Sequence, residues 1–148
     1  MIKKMLSLGF AAAISFASFA QTTAAANIPV QVSNAFQSQN PSVTNVIWNQ
    51  EAGYFLPTFT KNQIDIVGYI DLKGHYIQTI SKIAVADLPS AATTYISQNY
   101  HGGQISEVGK IEFPNNNPVR YYVKVSGKQL LFNNTGTFIK VTESFLKQ

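Results

Sequence analysis

One stretch decides the fold: Asp87-Leu88-Pro89-Ser90-Ala91-Ala92-Thr93-Thr94-Tyr95-Ile96-Ser97-Gln98-Asn99-Tyr100-His101-Gly102-Gly103, in a chain of 148 residues. Within it, Ala92, Tyr95 and Ile96 recur at the i, i+3, i+4 spacing that gives a helix one stripe for a core. A proline is tolerated in a first helical turn, and a glycine pair ends the pattern. The stretch therefore predicts a short helix, which must dock on other elements because a helix of this length is marginal alone.

The same pattern occurs once more, sixty residues earlier in the chain. Val32, Ala35 and Phe36 repeat the apolar spacing, with Pro29 ahead of them. Asn40-Pro41 ends this first helix, because the residue before a proline disfavours helical geometry. With only two copies, the repetition predicts a duplicated unit rather than a long repeat array.

Short polar residues mark where the elements begin and turn. Asn27 and Asp87 lie just ahead of the two helices, where we expect their side chains to accept hydrogen bonds from free helical N–H groups. Asp71-Leu72-Lys73-Gly74 and Asn133-Asn134-Thr135-Gly136 match at an offset of 62 residues. Both are predicted to be turns with glycine at a positive φ, since neither supplies enough oxygen ligands for a calcium loop.

Four segments rich in β-branched and aromatic residues follow each helix. Their short connections predict antiparallel hairpins. The fold class is therefore predicted to be α+β, with two tandem α-β-β-β-β repeats and both helices packed on one face of a curved antiparallel sheet. The predicted strands are residues 43–49, 54–60, 64–70 and 75–82, then 105–113, 119–125, 129–132 and 138–141.

The first residues predict a leader for export. Lys3-Lys4 gives a basic start, an apolar run follows, and small residues precede Ala20, so we expect cleavage after Ala20, with Ala26 as a second candidate. The alternative is a membrane anchor, but the run is shorter than the roughly 20 residues that span a bilayer. We expect no stable membrane span after leader removal and a periplasmic or secreted location. The predicted organisation is signal peptide 1–20, linker 21–27, one domain 28–141 with repeats at about 28–82 and 87–141, and tail 142–148.

Composition excludes several classes of function. The chain carries 11 Lys and Arg against 7 Asp and Glu, a net charge of +4 that falls to +2 once Lys3 and Lys4 are removed with the leader. The remaining basic residues are scattered, which argues against a nucleic-acid partner. The chain has no cysteine, which excludes disulfides, thiolate metal sites and a cysteine nucleophile.

No motif in the chain names a reaction. His75 and His101 both sit beside turn glycines, as solvated loop histidines do, and no further metal ligands stand at a workable spacing. No serine lies in a Gly-x-Ser-x-Gly elbow. The carboxylates are dispersed, so an acid–base pair would have to be assembled from distant strands. We therefore expect no enzymatic activity, no catalytic or metal-binding residues and no cofactor.

Aromatic residues suggest a candidate contact surface. In residues 119–125 the apolar positions alternate with Arg120, Tyr122 and Lys124, so these three should face away from the helices. The same logic places Tyr69 on that open face. The candidate partner-binding residues are Trp48, Tyr54, Tyr69, Arg120, Tyr122 and Lys124. The alternative is that the aromatic side chains are cross-strand pairs that stabilise the sheet.

Several short motifs together suggest a family. They are Ile28-Pro29, Asn40-Pro41, Val46-Ile47-Trp48, residues 69–74, Asp87-Leu88-Pro89 and residues 132–136. Over residues 28–141 the chain resembles the PepSY-like family of secreted bacterial proteins, with the fold of beta-lactamase inhibitor protein. The resemblance implies a tandem α+β fold, export to the periplasm or beyond, and no enzymatic activity.

Two functions are compatible with these features. The first is an exported non-enzymatic binding module that contacts a protein or peptide of the envelope through the open sheet face, by analogy with relatives as an inhibitor of a peptidase or hydrolase. The second is a small-ligand carrier of the cell envelope with a pocket between helices and sheet. An uncovered aromatic face would favour the first, and an enclosed apolar cavity the second.

Overall fold

The computed structural model describes residues 27–142. The predicted signal peptide with its cleavage site, the linker up to residue 26 and the tail from residue 143 lie outside the described residues. The elements are α1 (Val30–Gln39), β1 (Ile47–Glu51), β2 (Tyr54–Lys61), β3 (Ile64–Asp71), β4 (Tyr76–Lys82), α2 (Ser90–Asn99), β5 (Ile105–Glu112), β6 (Arg120–Val125), β7 (Lys128–Phe132) and β8 (Phe138–Val141).

The eight strands form one sheet in chain order, and every neighbouring pair is antiparallel. Helix α1 precedes β1–β4 and helix α2 precedes β5–β8, so the α-β-β-β-β order occurs twice. Pairing of β4 with β5 joins the two halves into one sheet. The predicted α+β fold class is confirmed.

Both helices begin directly after a proline, which lies just outside the first turn. Pro29 and Pro89 are extended, with ψ of 141° and 139°, and neither helix start receives a side-chain hydrogen bond. The capping role predicted for Asn27 and Asp87 is therefore wrong. Asp87 turns back to the preceding segment, where its Oδ2 accepts a hydrogen bond from the Ala84 N–H at 3.2 Å.

The first strand is the one element whose predicted bounds were wrong by several residues. It spans Ile47–Glu51 instead of residues 43–49, whereas the bounds of the other seven strands agree to within one residue. Residues 42–46 run outside the sheet, and the Val43 N–H bonds to the Asn40 carbonyl at 3.1 Å instead of to β2. The apolar residues of this segment predicted a strand, but Val43 is buried against the helix-side core.

Each half has its own core between helix and sheet. In the first half, the Phe36 ring of α1 meets Trp48 edge-on at 5.3 Å and Phe59 at 5.2 Å between ring centroids. In the second half, Tyr95 of α2 stacks on Phe138 at 4.5 Å. Burial of these apolar stripes holds both helices on the same face of the sheet.

The opposite side of the sheet, called the second face below, carries a third buried cluster. Its residues come from β2, β3 and β4 in the first half and from β5, β6 and β7 in the second. The cluster therefore crosses the junction between the two halves, unlike the two helix-side cores. Its buried members are Leu56, Val67, Tyr69, Ile80, Ile111, Tyr122 and Leu131.

Candidate functional site

Strand register places polar residues side by side on the second face of the first half. Asn49 of β1 lies opposite Leu56 of β2, and Tyr69 of β3 lies opposite Gln78 of β4. Thr58 lies two residues beyond Leu56 on the same side of β2, since side chains on a strand alternate. Four polar residues thus share this half of the second face.

Each of these four residues has a buried polar side-chain atom that lacks a hydrogen-bond partner among the described residues. Asn49 Nδ2, Thr58 Oγ1, Tyr69 OH and Gln78 Nε2 are buried and have no hydrogen-bond partner within the described part of the chain. A buried polar atom left unpaired costs about 1–3 kcal/mol. Nearly all buried polar groups in proteins have partners, so four on one face call for a physical explanation.

The environment of Tyr69 keeps its hydroxyl neutral. Burial raises the pKa of Tyr69 well above its usual range, and the nearby Glu51 carboxylate raises that pKa further. The side chain is fully buried. Tyr69 therefore presents an O–H group that can donate or accept one hydrogen bond but holds none.

The second half of the same face pairs its polar groups. The Tyr122 hydroxyl donates to Glu107 Oε1 at 2.6 Å, and Lys124 Nζ donates to Glu107 Oε2 at 2.9 Å. The Lys124 and Glu107 side chains are only 15% and 12% exposed. Burial, followed by the hydrogen bond to Glu107, raises the pKa of Tyr122 far above its usual range. The carboxylate, the ammonium and the hydroxyl therefore all have hydrogen-bond partners here, unlike the four polar atoms of the first half.

A glycine makes room for the Tyr122 ring. Gly109 lies opposite Tyr122 in the β5–β6 ladder, and a Cβ at Gly109 would overlap the ring and hydroxyl of Tyr122. The close approach lets the ring lie flat across β5 and its hydroxyl reach Glu107. Sequence reasoning missed both Gly109 and Glu107, because the β-bulge between Ile105 and Glu107 sets which way Glu107 points.

The sequence prediction placed five of the six candidate residues on the correct side of the sheet. Their register partners put Tyr69, Arg120, Tyr122 and Lys124 on the second face. Tyr54, opposite Glu51, is half-buried and also packs against the second-face cluster. Whether these residues bind a partner stays a prediction.

Two features of that prediction are wrong. Trp48 belongs to the helix-side core, where it packs against Phe36, because its strand places it opposite Pro57 on the helix side. Tyr69 and Tyr122 are fully buried, so the face is not an uncovered aromatic surface. Their packing fits the alternative in which aromatic side chains stabilise the sheet.

A groove of about 840 Å³ opens at the edge of the sheet beside the second face. One wall is the segment 42–47, and the other is the end of the β2–β3 hairpin. Thr58, whose hydroxyl is unpaired, lies in its lining. A second cavity of about 550 Å³ lies near the 114–118 loop. Neither lies between the helices and the sheet, where a ligand carrier would need an enclosed pocket.

Two equivalent loops dock each half of the sheet onto its helix. Asp71 Oδ1 accepts from the backbone N–H groups of Lys73 and His75, both at 2.9 Å. Asn133 Oδ1 accepts from Thr135 and Thr137 at 3.0 and 2.8 Å in the same pattern. The predicted turn chemistry is thus correct in both loops.

The glycine that ends each loop touches the start of a helix. Gly74 and Gly136 have φ of +87° and +85°, where other residues are strained. A Cβ at Gly74 would lie 2.6 Å from the Gln31 carbonyl oxygen, and one at Gly136 would lie 2.8 Å from the Ala92 nitrogen. Both loops are therefore explained by packing.

We expect Asp71→Asn to remove a pH-dependent part of the stability. The backbone N–H of His75 is the largest cause that lowers the pKa of Asp71 below its usual value, so the folded state favours the carboxylate. That contribution is present above the unfolded pKa and disappears as the pH falls through the lower folded pKa. Urea midpoints measured from pH 7 to pH 2 should show wild type more stable than Asp71→Asn at pH 7, with the difference vanishing in acid.

The other half of the molecule supplies the control. Asn133 already makes the equivalent hydrogen bonds with an amide, so Asp71→Asn preserves the loop geometry. Asn133→Asp should introduce a pH dependence of the same sign. A stability difference between wild type and Asp71→Asn that stays constant across this pH range would contradict the assignment.

The described residues offer no metal site or membrane-spanning helix. Across residues 27–142, no three His, Cys, Asp or Glu side chains are grouped so that they could hold a metal ion. No helix in this range is long and apolar enough to cross a membrane.

Comparison with known proteins identifies the fold. No protein-family model and no curated protein matches the chain. A DUF2874 family protein from Bacteroides ovatus matches with a TM-score of 0.69 at 20% identity, covering 77% of this chain and 86% of that one. A BLIP-like protein from Bacteroides fragilis matches with a TM-score of 0.63 at 20% identity, covering 76% and 83%.

A protein from Bacteroides eggerthii, described as a candidate periplasmic protein, also shares the fold. Its TM-score is 0.67 at 18% identity, and the match covers 77% of this chain and 87% of that one. At these identities the similarity shows the fold alone. The fold is thus the BLIP-like one that the sequence suggested, while membership of the PepSY-like family stays a prediction.

Proposed function

We propose that this chain is an exported, non-enzymatic binding module that contacts a protein or peptide of the envelope through the second face and its rim. The observation that carries the proposal is the set of four buried, unpaired polar atoms on Asn49, Thr58, Tyr69 and Gln78. Such groups lower the stability of the free protein, and a partner that displaces the side chains covering them would remove that cost.

The contrast between the two halves supports this interpretation. Glu107 satisfies the Tyr122 hydroxyl and the Lys124 ammonium, whereas the equivalent region of the first half holds donors without acceptors. Two side-chain amides and two hydroxyls favour a ligand rich in carbonyl or carboxylate oxygens, such as a polypeptide. Thr58 connects this set to the groove, because other atoms of this residue line the groove while its hydroxyl is buried.

The proposed cellular location rests on two further observations. The sequence predicts a signal peptide, and a structural neighbour is described as a candidate periplasmic protein. The BLIP-like fold of another neighbour suggests inhibition of a peptidase or hydrolase as the form that binding takes. We propose the periplasm as the compartment and such an enzyme as the first class of partner to test.

Tyr69→Phe tests the proposal through opposite effects on stability and binding. Removing an unpaired buried hydroxyl should stabilise the free protein by about 1 kcal/mol in urea denaturation. The same change should weaken retention of the envelope partner that wild type captures from an extract. Tyr122→Phe is the matched control, because the Tyr122 hydroxyl is paired at 2.6 Å and its loss should destabilise the fold.

The two readouts separate a functional role from a structural one. If Tyr69→Phe destabilises the fold, the hydroxyl must have a partner in the free protein, and the proposal is contradicted. Unchanged capture of the partner by a more stable Tyr69→Phe variant would place the contact away from the second face.

A further inference from the structure

We infer that the groove beside β1 receives an extended peptide segment, which adds as a strand to the free edge of β2. This inference rests on the proposed function and specifies the class of partner and its docking place. The groove, defined by the segment 42–47 and residues 58–62 with Asp65, has about 840 Å³, within the roughly 300–1,000 Å³ typical of ligand clefts.

At Thr60 the backbone of β2 has no partner strand on the side of this groove. The β1–β2 ladder ends at Ile47 opposite Thr58, but β2 continues to Lys61, which pairs with Ile64 of β3. Asn62 and the residue after it, at φ of +52° and +64°, form the two-residue turn of the hairpin. Alternation along an antiparallel strand then directs the N–H and C=O of Thr60 away from β3 and towards the groove.

The opposite wall does not satisfy this edge. Among the described residues, no backbone hydrogen bond joins the segment 42–46 to residues 59–61. Val43 bonds instead to the Asn40 carbonyl, which carries the segment away from β2. An exposed strand edge of this kind is a template for pairing with another chain.

The side chains of the groove suit a polar peptide with an acidic residue. The Thr58 hydroxyl lacks a partner, and the Thr60 hydroxyl donates to Asp65 at 2.9 Å. Lys61 is exposed and makes no ion pair with another described residue. A carboxylate on the incoming strand would meet Lys61, and hydroxyl or amide side chains would meet the exposed Thr60.

Amide exchange measured by NMR tests strand addition directly. The probe is a panel of capped hexapeptides that alternate threonine and valine and carry one aspartate at each position in turn, added to the full chain after leader removal. At saturation, at least one peptide should slow exchange of the Thr60 amide at least tenfold. The Phe59 amide, which faces β3, is the internal control and should not change.

Two controls separate backbone pairing from charge. The same peptides N-methylated at every residue should give no protection, because neither edge of the peptide then carries N–H donors for pairing. Lys61→Gln should weaken binding of the acidic peptide about threefold, the size of an exposed ion pair. Lys82→Gln, also an exposed lysine but outside the groove, should leave binding unchanged.

Three outcomes would overturn the inference. One is that no peptide in the panel protects Thr60. Another is a shift of groove resonances without Thr60 protection, which indicates a polar small molecule as the occupant. The last is Thr60 protection that rises with protein concentration alone, which indicates a second copy of the chain. If envelope capture is lost in Tyr69→Phe but kept in Lys61→Gln, and Thr60 stays unprotected, the proposed function stands and this inference fails.

Discussion

Lys124→Met should lower the free energy of unfolding by about 3–5 kcal/mol, the cost of removing one partner from a buried ion pair. Lys124 Nζ and Glu107 Oε2 are 2.9 Å apart, and both side chains are largely buried. Without Lys124, the Glu107 carboxylate keeps only the Tyr122 hydroxyl among its described partners. Urea denaturation followed by circular dichroism measures the change.

An exposed ion pair on β5, the strand that also carries Glu107, gives the control. Lys110 and Glu112 are 2.7 Å apart but are 34% and 46% exposed, so Lys110→Met should cost at most about 1 kcal/mol. The double variant Lys124→Met/Glu107→Leu should recover part of the loss, because it leaves no buried charge of the pair behind. Equal effects of Lys124→Met and Lys110→Met would show that the second face is open to water.

Alternation along β6 was enough to predict which way its side chains point. Val123 and Val125 are in the helix-side core, and Tyr122 and Lys124 lie on the second face. Burial was not predictable from that pattern, because Arg, Tyr and Lys in alternation look like a solvated strand. The side chains that bury Tyr122 belong partly to other strands of the second-face cluster. Gly109 on the neighbouring strand also contributes, because it leaves room for the ring.

The wrong side of the sheet was predicted for Trp48 because the alternation of apolar and polar residues is too short there to decide. Ile47 and Trp48 are adjacent apolar residues on a five-residue edge strand, so the sequence does not say which of them faces the core. Pairing decides the question: Ile47 lies opposite Thr58 and is exposed, whereas Trp48 lies opposite Pro57 and is buried by Phe36. Such long-range choices depend on tertiary packing.

The candidate site itself was beyond sequence reasoning because it exists only through register. Asn49, Tyr69 and Gln78 stand on different strands and form no motif in the chain. Their shared feature, a buried polar atom without a partner, appears only when neighbouring side chains are in place. The duplicated Asp71 and Asn133 loops, in contrast, were predictable, because local turn chemistry sets their hydrogen bonds.

Replacing the buried helix residues Phe36 or Ile96 with alanine should have the other large effect on stability. Phe36→Ala should cost about 3–5 kcal/mol and Ile96→Ala about 2–5 kcal/mol, because each removes a buried side chain from a helix-side core. Gln37→Ala and Ser97→Ala, the exposed neighbours on the same helices, should change stability by about 0.5 kcal/mol or less. A loss below half a kcal/mol in either core variant would contradict the assigned helix stripe.

The single tryptophan allows this experiment to show whether the two halves unfold together. Trp48 lies in the first-half core, whereas Ile96 lies in the second-half core. The halves share the β4–β5 ladder and the second-face cluster, so unfolding of one removes buried surface from the other. In Ile96→Ala the urea midpoint from Trp48 fluorescence should therefore fall as far as the midpoint from circular dichroism. A Trp48 midpoint that stays at the wild-type value would mean that the second face does not couple the repeats and that each α-β-β-β-β unit unfolds alone.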